Sequence, residues 1–166
     1  MDDTQEPILI LTTGGTIDKQ YFDALSEYQV GDSMIAHLLS TARVAHGYEI
    51  CELMRKDSLE LDDADRALIA QKVQESPHKR IVITHGTDTM TETAKALMPV
   101  GDKTVALAGA LAPARFAESD AMFNLGMAFA CVQTASPGVY ITMNGTVFRG
   151  DKVVKDRKKG RFVTSC

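Results

Sequence analysis

Short apolar runs alternate with amphipathic stretches along this chain of 166 residues. Apolar runs of this length are typical of buried strands, and apolar residues at helical spacing are typical of helices that cover a sheet. The alternation therefore predicts an α/β fold of the Rossmann or flavodoxin-like three-layer type, with a mostly parallel sheet flanked by helices. The predicted strands are 8–11, 48–54, 80–86, 104–111 and 138–143, the predicted helices are 31–47, 61–77, 87–98 and 117–135, and a C-terminal β-hairpin is predicted over 145–154.

Length, charge and cysteine content limit the classes of function. A chain of this length is expected to form one domain. The formal net charge of −4 argues against nucleic-acid binding, which normally needs a basic excess, although the stretch 151–161 is locally basic. Cys51, Cys131 and Cys166 lie far apart without metal-ligand spacing, so reduced thiols and no metal are expected.

The N-terminus reads "MDDTQEP", which is acidic and lacks the apolar core of a secretion signal. No later stretch approaches the ~18 consecutive apolar residues that a membrane span needs. We therefore expect a cytoplasmic protein that does not associate with a membrane.

Ligands of parallel α/β sheets bind beyond the carboxyl ends of the strands, where the strand-to-helix loops gather. Two of these loops, "TTGGTIDK" at 12–19 and "THGTDTMTE" at 84–92, are rich in threonine, glycine and aspartate. Neither matches a phosphate-binding fingerprint, because the chain contains no GxxxxGK[ST] and no GxGxxG. No cofactor is expected.

Hydroxyl groups beside a flexible glycine turn suit nucleophilic catalysis. Thr16 follows Gly14-Gly15, and a base together with backbone N–H groups would allow its hydroxyl to attack a carbonyl carbon. Thr87 offers a second hydroxyl, Asp88 an anion, and the basic tail a lysine as base. The structural alternative is that these threonines only cap turns and helices.

The two loops resemble the signature motifs of the bacterial-type L-asparaginase/glutaminase family. The likeness continues through "YQVGD", "DSLEL", "VALAGAL", "FNLGMAFA" and "MNGTVFRGDKVVK". It implies that residues 1–166 form a single catalytic domain of the family's N-terminal type, in a short form that lacks the usual C-terminal domain. The implied reaction is hydrolysis of the side-chain amide of L-asparagine to L-aspartate and ammonia through a threonine acyl-enzyme.

The resemblance also assigns catalytic positions. Thr16 corresponds to the first nucleophile and Tyr28 to a tyrosine on a mobile lid that activates it. Thr87, Asp88 and Lys155 correspond to the family's threonine, aspartate and lysine set. His85 is expected to be a structural hydrogen-bond donor, because a histidine directly before a glycine turn is more often structural and the family does not use it in catalysis.

Substrate-binding positions follow from the same resemblance. Ser58 corresponds to the serine that binds the substrate's α-carboxylate. The expected substrate-binding residues are Gly15, Asp57, Ser58, Gly86 and Asp88.

Three departures from the family pattern weaken the expected recognition of asparagine. Leu59 stands where many members have a polar residue, and Ala112 replaces an arginine that is usual in the loop 108–115. The short form implied by the resemblance would also lack an acidic residue that, in the family, a neighbouring subunit offers to the substrate's amino group. We therefore expect weak binding and low glutaminase activity. We also expect a homodimer or higher homo-oligomer, because a domain that shares its active site across an interface keeps an apolar face to bury.

Two other interpretations stay open at this point. In the first, the chain is a binding or regulatory module that retains the pocket with little turnover. In the second, it is an amidohydrolase of another small amide or ester.

Overall fold

A computed structural model describes residues 5–166, so the first four residues of the acidic N-terminal stretch lie outside the described range. The strands are β1 (Ile8–Gly14), β2 (Lys19–Phe22), β3 (Glu27–Val30), β4 (Tyr48–Lys56), β5 (Arg80–Thr84), β6 (Thr104–Ala108), β7 (Gly138–Met143), β8 (Thr146–Arg149), β9 (Val153–Asp156) and β10 (Arg161–Thr164). The helices are α1 (Ile35–Thr41), α2 (Asp63–Glu75), α3 (Met90–Leu97) and α4 (Ala121–Thr134).

The central sheet has six strands in the order β4-β1-β5-β6-β7-β8. The first five are parallel, and β8 is antiparallel to β7. One buried cluster packs α1 and α4 against one face, and a second packs α2 and α3 against the other. The predicted α/β fold with helices on both faces of a mostly parallel sheet is confirmed.

Local signals explain where the helices begin and end. Asp62 and Asp65 form a capping box at the start of α2. The helix ends at Glu75, two residues before the predicted end at 77, because Pro77 disfavours a helical conformation at Ser76. Helix α1 is shorter than the predicted 31–47, because Arg43 takes a left-handed conformation with φ of 54° directly after the last turn.

The C-terminal hairpin exists, but the prediction placed it wrongly at 145–154. Strand β8 pairs with β7 across Asn144-Gly145, where both residues have positive φ and form a two-residue turn that matches strand twist. The hairpin beyond it consists of β9 and β10. Val153 and Phe162 are buried in the cluster with α2 and α3, so this hairpin is anchored to the core.

A second hairpin, β2–β3, was not predicted. Its two strands pair with each other outside the central sheet. Its side chains are exposed or half-buried, so the sequence shows no alternation of apolar and polar residues there. We call it the 19–30 hairpin.

Within residues 5–166, every helix is too short or too polar to cross a lipid bilayer.

Candidate active site

Three loops at the carboxyl ends of β1, β4 and β5 approach each other backbone to backbone. A Cβ atom on Gly15 would lie 2.5 Å from the amide nitrogen of Gly86, and one on Gly86 would lie 2.6 Å from the Cβ of Ser58. Gly15 also has a φ of +91°, which L side chains rarely adopt. The two glycines therefore allow the loops after β1, β4 and β5 to meet at the sheet edge where parallel α/β folds bind ligands.

Ser58 joins the loops after β4 and β5. It is buried at the start of a 3₁₀ turn, Ser58–Glu60. Its Oγ accepts a hydrogen bond from the backbone N–H of Asp88 at 3.1 Å, and its carbonyl accepts one from the Thr89 hydroxyl at 2.8 Å. Because Oγ is an acceptor in this contact, the hydroxyl proton remains available to a ligand oxygen.

Lys155 reaches from β9 to the loop after β5. Its Nζ donates to Thr87 Oγ1 at 2.8 Å and to Asp88 Oδ1 at 2.8 Å. Thr87 is buried, and the Lys155 side chain is only 17% exposed. The structure thus places Lys155 beside Thr87 and Asp88, and we call these three residues the Lys155 corner.

His85 lies just before Thr87 and Asp88, in the loop after β5. It is fully buried, with Nδ1 2.6 Å from the carbonyl oxygen of Gly86 and Nε2 2.7 Å from Thr93 Oγ1. A carbonyl oxygen only accepts, so Nδ1 carries the proton and Nε2 accepts from the threonine. Burial lowers the pKa of His85 to about 4, which keeps the ring neutral. This geometry matches the structural role expected for His85.

Tyr28 is held much less tightly than the Lys155 corner, while Thr16 lies in a turn at the base of the 19–30 hairpin. Thr16 is half-buried in a 3₁₀ turn, Thr16–Asp18, that begins directly after Gly15. Tyr28 lies on β3 of the 19–30 hairpin and is 51% exposed. Its ring contacts that of Tyr21 at a centroid distance of 5.3 Å and that of Phe116 at 5.9 Å. The structure thus places Tyr28 on the hairpin that follows the Thr16 loop.

Asp57 is engaged with the 19–30 hairpin. Its carboxylate lies 2.8 Å from Lys19 Nζ and accepts from the backbone N–H of Leu59 at 3.2 Å. Burial raises the pKa of Asp57, but the bonds from Lys19 and Leu59 outweigh it and hold the pKa below its usual value. A polar cavity of about 440 Å³ opens beside this pair, and its walls include Tyr28, Gln29, Arg55 and Glu60.

Comparisons with known proteins identify the family of the chain. A sequence model described as "Asparaginase, N-terminal" matches residues 7–161. The chain belongs to the asparaginase family. L-asparaginase 2 of Escherichia coli K12 is 35% identical over 162 residues, covering 89% of this chain and 46% of that protein. The solved thermostable L-asparaginase from Thermococcus kodakarensis superposes with a TM-score of 0.83 at 28% identity, covering 95% of this chain and 51% of that one.

A third similarity reaches beyond the proteins named asparaginase. One component of the glutamyl-tRNA(Gln) amidotransferase of Methanococcus maripaludis is 31% identical over 158 residues, covering 88% of this chain and 36% of that protein. The chain spans about half the length of the L-asparaginases it matches.

The departures from the asparaginase pattern have visible consequences. The side chain of Leu59 is 66% exposed, so it offers a ligand an apolar surface beside Ser58 but no hydrogen-bonding group. At Ala112 the loop is held by other groups, because the N–H groups of Leu111 and Ala112 donate to the Asp120 carboxylate at 3.0 and 3.1 Å.

Sequence reasoning missed two residues near the site. Arg115 and Phe116 lie in the loop after β6, and both contact the 19–30 hairpin or its stems. No motif marks them, since their partners are 83 to 97 residues away for the arginine.

Proposed function

We propose that this chain is an L-asparaginase-type amidohydrolase that converts L-asparagine to L-aspartate and ammonia through a threonine acyl-enzyme. The Lys155 corner is the observation that carries the proposal, because a lysine amine, a hydroxyl and a carboxylate lie within hydrogen-bond reach of each other beside two glycine-joined loops. Family membership supports it. The asparaginase N-terminal domain then contains all the reacting groups by itself.

The first half-reaction uses Thr16. Its Oγ1 attacks the side-chain amide carbon, Tyr28 assists removal of the hydroxyl proton, and ammonia leaves after the nitrogen is protonated. In the described part of the chain, the backbone N–H groups of Thr16 and Thr87 donate to no protein acceptor. They are therefore suited to stabilise the oxyanion of the tetrahedral intermediate.

The second half-reaction uses the Lys155 corner. Thr87 Oγ1 accepts from the lysine amine at 2.8 Å, so we expect it to face the acyl group and to position and activate the attacking water. The neutral amine form of Lys155 would accept the proton, and the Asp88 carboxylate would stabilise the resulting cation. Hydrolysis of the acyl-enzyme releases aspartate and restores the Thr16 hydroxyl.

Substrate contacts are proposed for the loops that the glycines join. The Ser58 hydroxyl would donate to the α-carboxylate, Asp88 would accept from the α-ammonium, and Gly15 and Gly86 would allow the substrate to approach the backbone. Asp57 would contribute next to Ser58, because its bond to Lys19 orients the turn that carries Ser58.

Recognition of the α-ammonium is expected to be weak. Asp88 is the only acidic partner assigned to it, and the same Oδ1 atom lies 2.8 Å from Lys155 Nζ and 3.8 Å from an Arg157 nitrogen. One missing charged hydrogen bond costs roughly 1.5–3 kcal/mol, or about a factor of 10 to 100 in affinity. We expect a KM for asparagine in the millimolar range and poor turnover of glutamine.

A different small amide is the second candidate substrate. The exposed Leu59 and the shared Asp88 carboxylate favour a ligand with fewer polar contacts than asparagine. Ammonia release from a panel of amides, combined with thermal shift, separates the possibilities. Turnover of asparagine supports the proposal, and turnover of another amide alone supports the second candidate. Stabilisation by asparagine without any ammonia release would instead identify a binding module.

A homodimer is the proposed assembly, since the resemblance implies a domain that shares its site with a neighbouring subunit. Light scattering tests this, and a strict monomer would contradict it. The cytoplasmic location expected from the sequence is tested by cell fractionation.

A further inference from the structure

The loop between β6 and α4 contacts the 19–30 hairpin at three levels, which are its two stems, the turn before it and its outer part. At the first level, Arg115 donates from one guanidinium nitrogen to the carbonyl oxygen of Asp18 and from another to that of Asp32, each at 2.9 Å. Asp18 directly precedes β2, and Asp32 follows β3 by two residues. One planar guanidinium therefore holds both stems of the hairpin, for which the rigid fork of arginine is well suited.

At the second level, the same loop is tied to the turn that carries Thr16. The backbone N–H of Ala114 donates to the carbonyl oxygen of Ile17 at 3.0 Å. The stem is also closed on itself, because the N–H of Gly31 donates to the carbonyl oxygen of Asp18 at 2.9 Å. The base of the hairpin thus has a fixed position relative to Thr16.

The third level is the outer part of the hairpin. The Phe116 ring meets the Tyr28 ring edge-on at 5.9 Å and 72°, and Phe116 is 45% exposed. An edge-to-face aromatic pair shifts an equilibrium between two conformations by roughly 2- to 10-fold. A contact of this strength favours one conformation of the outer hairpin but leaves the other populated.

We propose that Arg115 and Phe116 are positioning residues for Tyr28, with Arg115 fixing the base of the 19–30 hairpin and Phe116 setting how often its outer part is closed. The proposal rests on the proposed function only in assuming that Tyr28 acts from this hairpin. The contacts of Arg115 and Phe116 are with the stems and the ring of Tyr28, so both residues act through the hairpin.

Hydrogen exchange of the hairpin amides tests the proposal independently of catalysis. Phe116→Ala should increase exchange in residues 19–30 by roughly 2- to 10-fold, and Phe116→Tyr should restore most of the protection. The matched control is Phe123→Ala, because Phe123 is 64% exposed on α4 and makes no aromatic pair with the hairpin. Exchange in Phe116→Ala equal to that of the wild type and the control would overturn the role of Phe116.

Arg115→Met tests the base of the hairpin, with Arg149→Met on exposed β8 as its control. Exchange at the stem amide of Gly31 should rise in Arg115→Met and stay unchanged in the control. Where Arg115→Met fails to fold, Arg115→Lys keeps the charge but loses the fork, and it should show a smaller rise at the same amide. Unchanged stem exchange in the folded variant would overturn the role of Arg115.

Kinetics connect the hairpin to catalysis. On whichever amide the wild type hydrolyses, Phe116→Ala should lower kcat/KM by roughly the same 2- to 10-fold factor as the change in exchange, and Phe116→Tyr should recover it. Faster exchange with unchanged kcat/KM would show that closure does not position Tyr28. A wild type that releases no ammonia from any amide would contradict the proposed function, while the exchange experiment would still decide the hairpin contacts.

Discussion

The Lys155 corner and the Thr16–Tyr28 side of the site are held in contrasting ways. Lys155 is fixed by two 2.8 Å hydrogen bonds and by a hairpin whose Val153 and Phe162 are buried in the core. Tyr28 is half exposed on a hairpin that pairs only with itself. One side is thus assembled before substrate arrives, while the other depends on a weakly held segment. Such a division lets a site keep its charged groups in place while a covering segment admits substrate and product.

The largest expected effect comes from removing the hydroxyl on either side. Thr16→Val and Thr87→Val should each lower kcat on the order of 10³-fold or more, with the double variant little worse, because residues that act as a unit are not additive. Ammonia release measures this. Thr146→Val, at an exposed position on β8, is the control and should retain full activity. An unchanged rate for Thr16→Val would end the proposed mechanism.

The base on the assembled side comes next. Lys155→Met should lower kcat on the order of 10²-fold, since a positioned general base contributes about that much. Lys158→Met changes the same residue type in the exposed turn of the same hairpin and should have no effect. Full activity of Lys155→Met would show that the basic tail has a purely structural role.

The junction between the two sides is tested at Gly86. A Cβ there would meet Ser58 Cβ at 2.6 Å and Ser58 N at 2.9 Å, so Gly86→Ala should destabilise the fold by about 1–3 kcal/mol and lower activity. Gly126→Ala on α4 is the matched control, because a Cβ at Gly126 meets nothing within 4 Å. That control should gain up to about 1 kcal/mol, and urea unfolding of both variants measures the difference.

The smallest effect concerns Asp18 at the base of the 19–30 hairpin. Burial raises its pKa to about 6 from 3.8, against the opposing hydrogen bond from the Met34 N–H and the charge of Arg115. The folded state therefore binds this proton more tightly than the unfolded state does. Asp18 consequently costs stability as the pH rises from about 4 to about 6, by at most about 3 kcal/mol.

Asp18→Asn keeps an acceptor for the Met34 N–H and removes the ionisation. It should be about 1–2 kcal/mol more stable than the wild type at pH 7 and lose that advantage near pH 4. His85 has the opposite effect, because its lowered pKa costs stability as the pH falls from about 6.5 to about 4. This contribution is the same in the wild type and in Asp18→Asn, so it cancels in the difference between them. Asp23→Asn makes the same change at an exposed position of the hairpin and is the matched control for the substitution itself.

Much of the fold was predictable because burial forces a periodic pattern. The strand "GVYITM" has the bounds predicted for it, and α2 lies two residues inside the predicted 61–77 at each end. The 19–30 hairpin has no buried face, so nothing in its sequence marked it. The Asn144-Gly145 turn was a readable signal that the prediction overlooked, since these two residues favour two-residue hairpin turns.

The placement of Lys155 was predictable only through the family resemblance. Four lysines lie between 152 and 159, and alternation along β9 puts Lys155 on the same side as the buried Val153. Arg115 was not predictable, because it binds two backbone carbonyls that any sequence would supply.

The close approach of Gly15, Gly86 and Ser58 separates positions that a protein engineer cannot change from positions that tolerate substitution. A library that randomises Gly15 or Gly86 should return glycine almost alone, since every other side chain forces neighbouring backbone apart. Leu59 is one residue from Ser58 in sequence but two-thirds exposed, so its side chain can grow, shrink or gain charge with little cost to folding. Selection for a new amide substrate would therefore find its tolerated variation at the rim, where diversity adds contacts to the ligand without disturbing the backbone that holds the reacting groups.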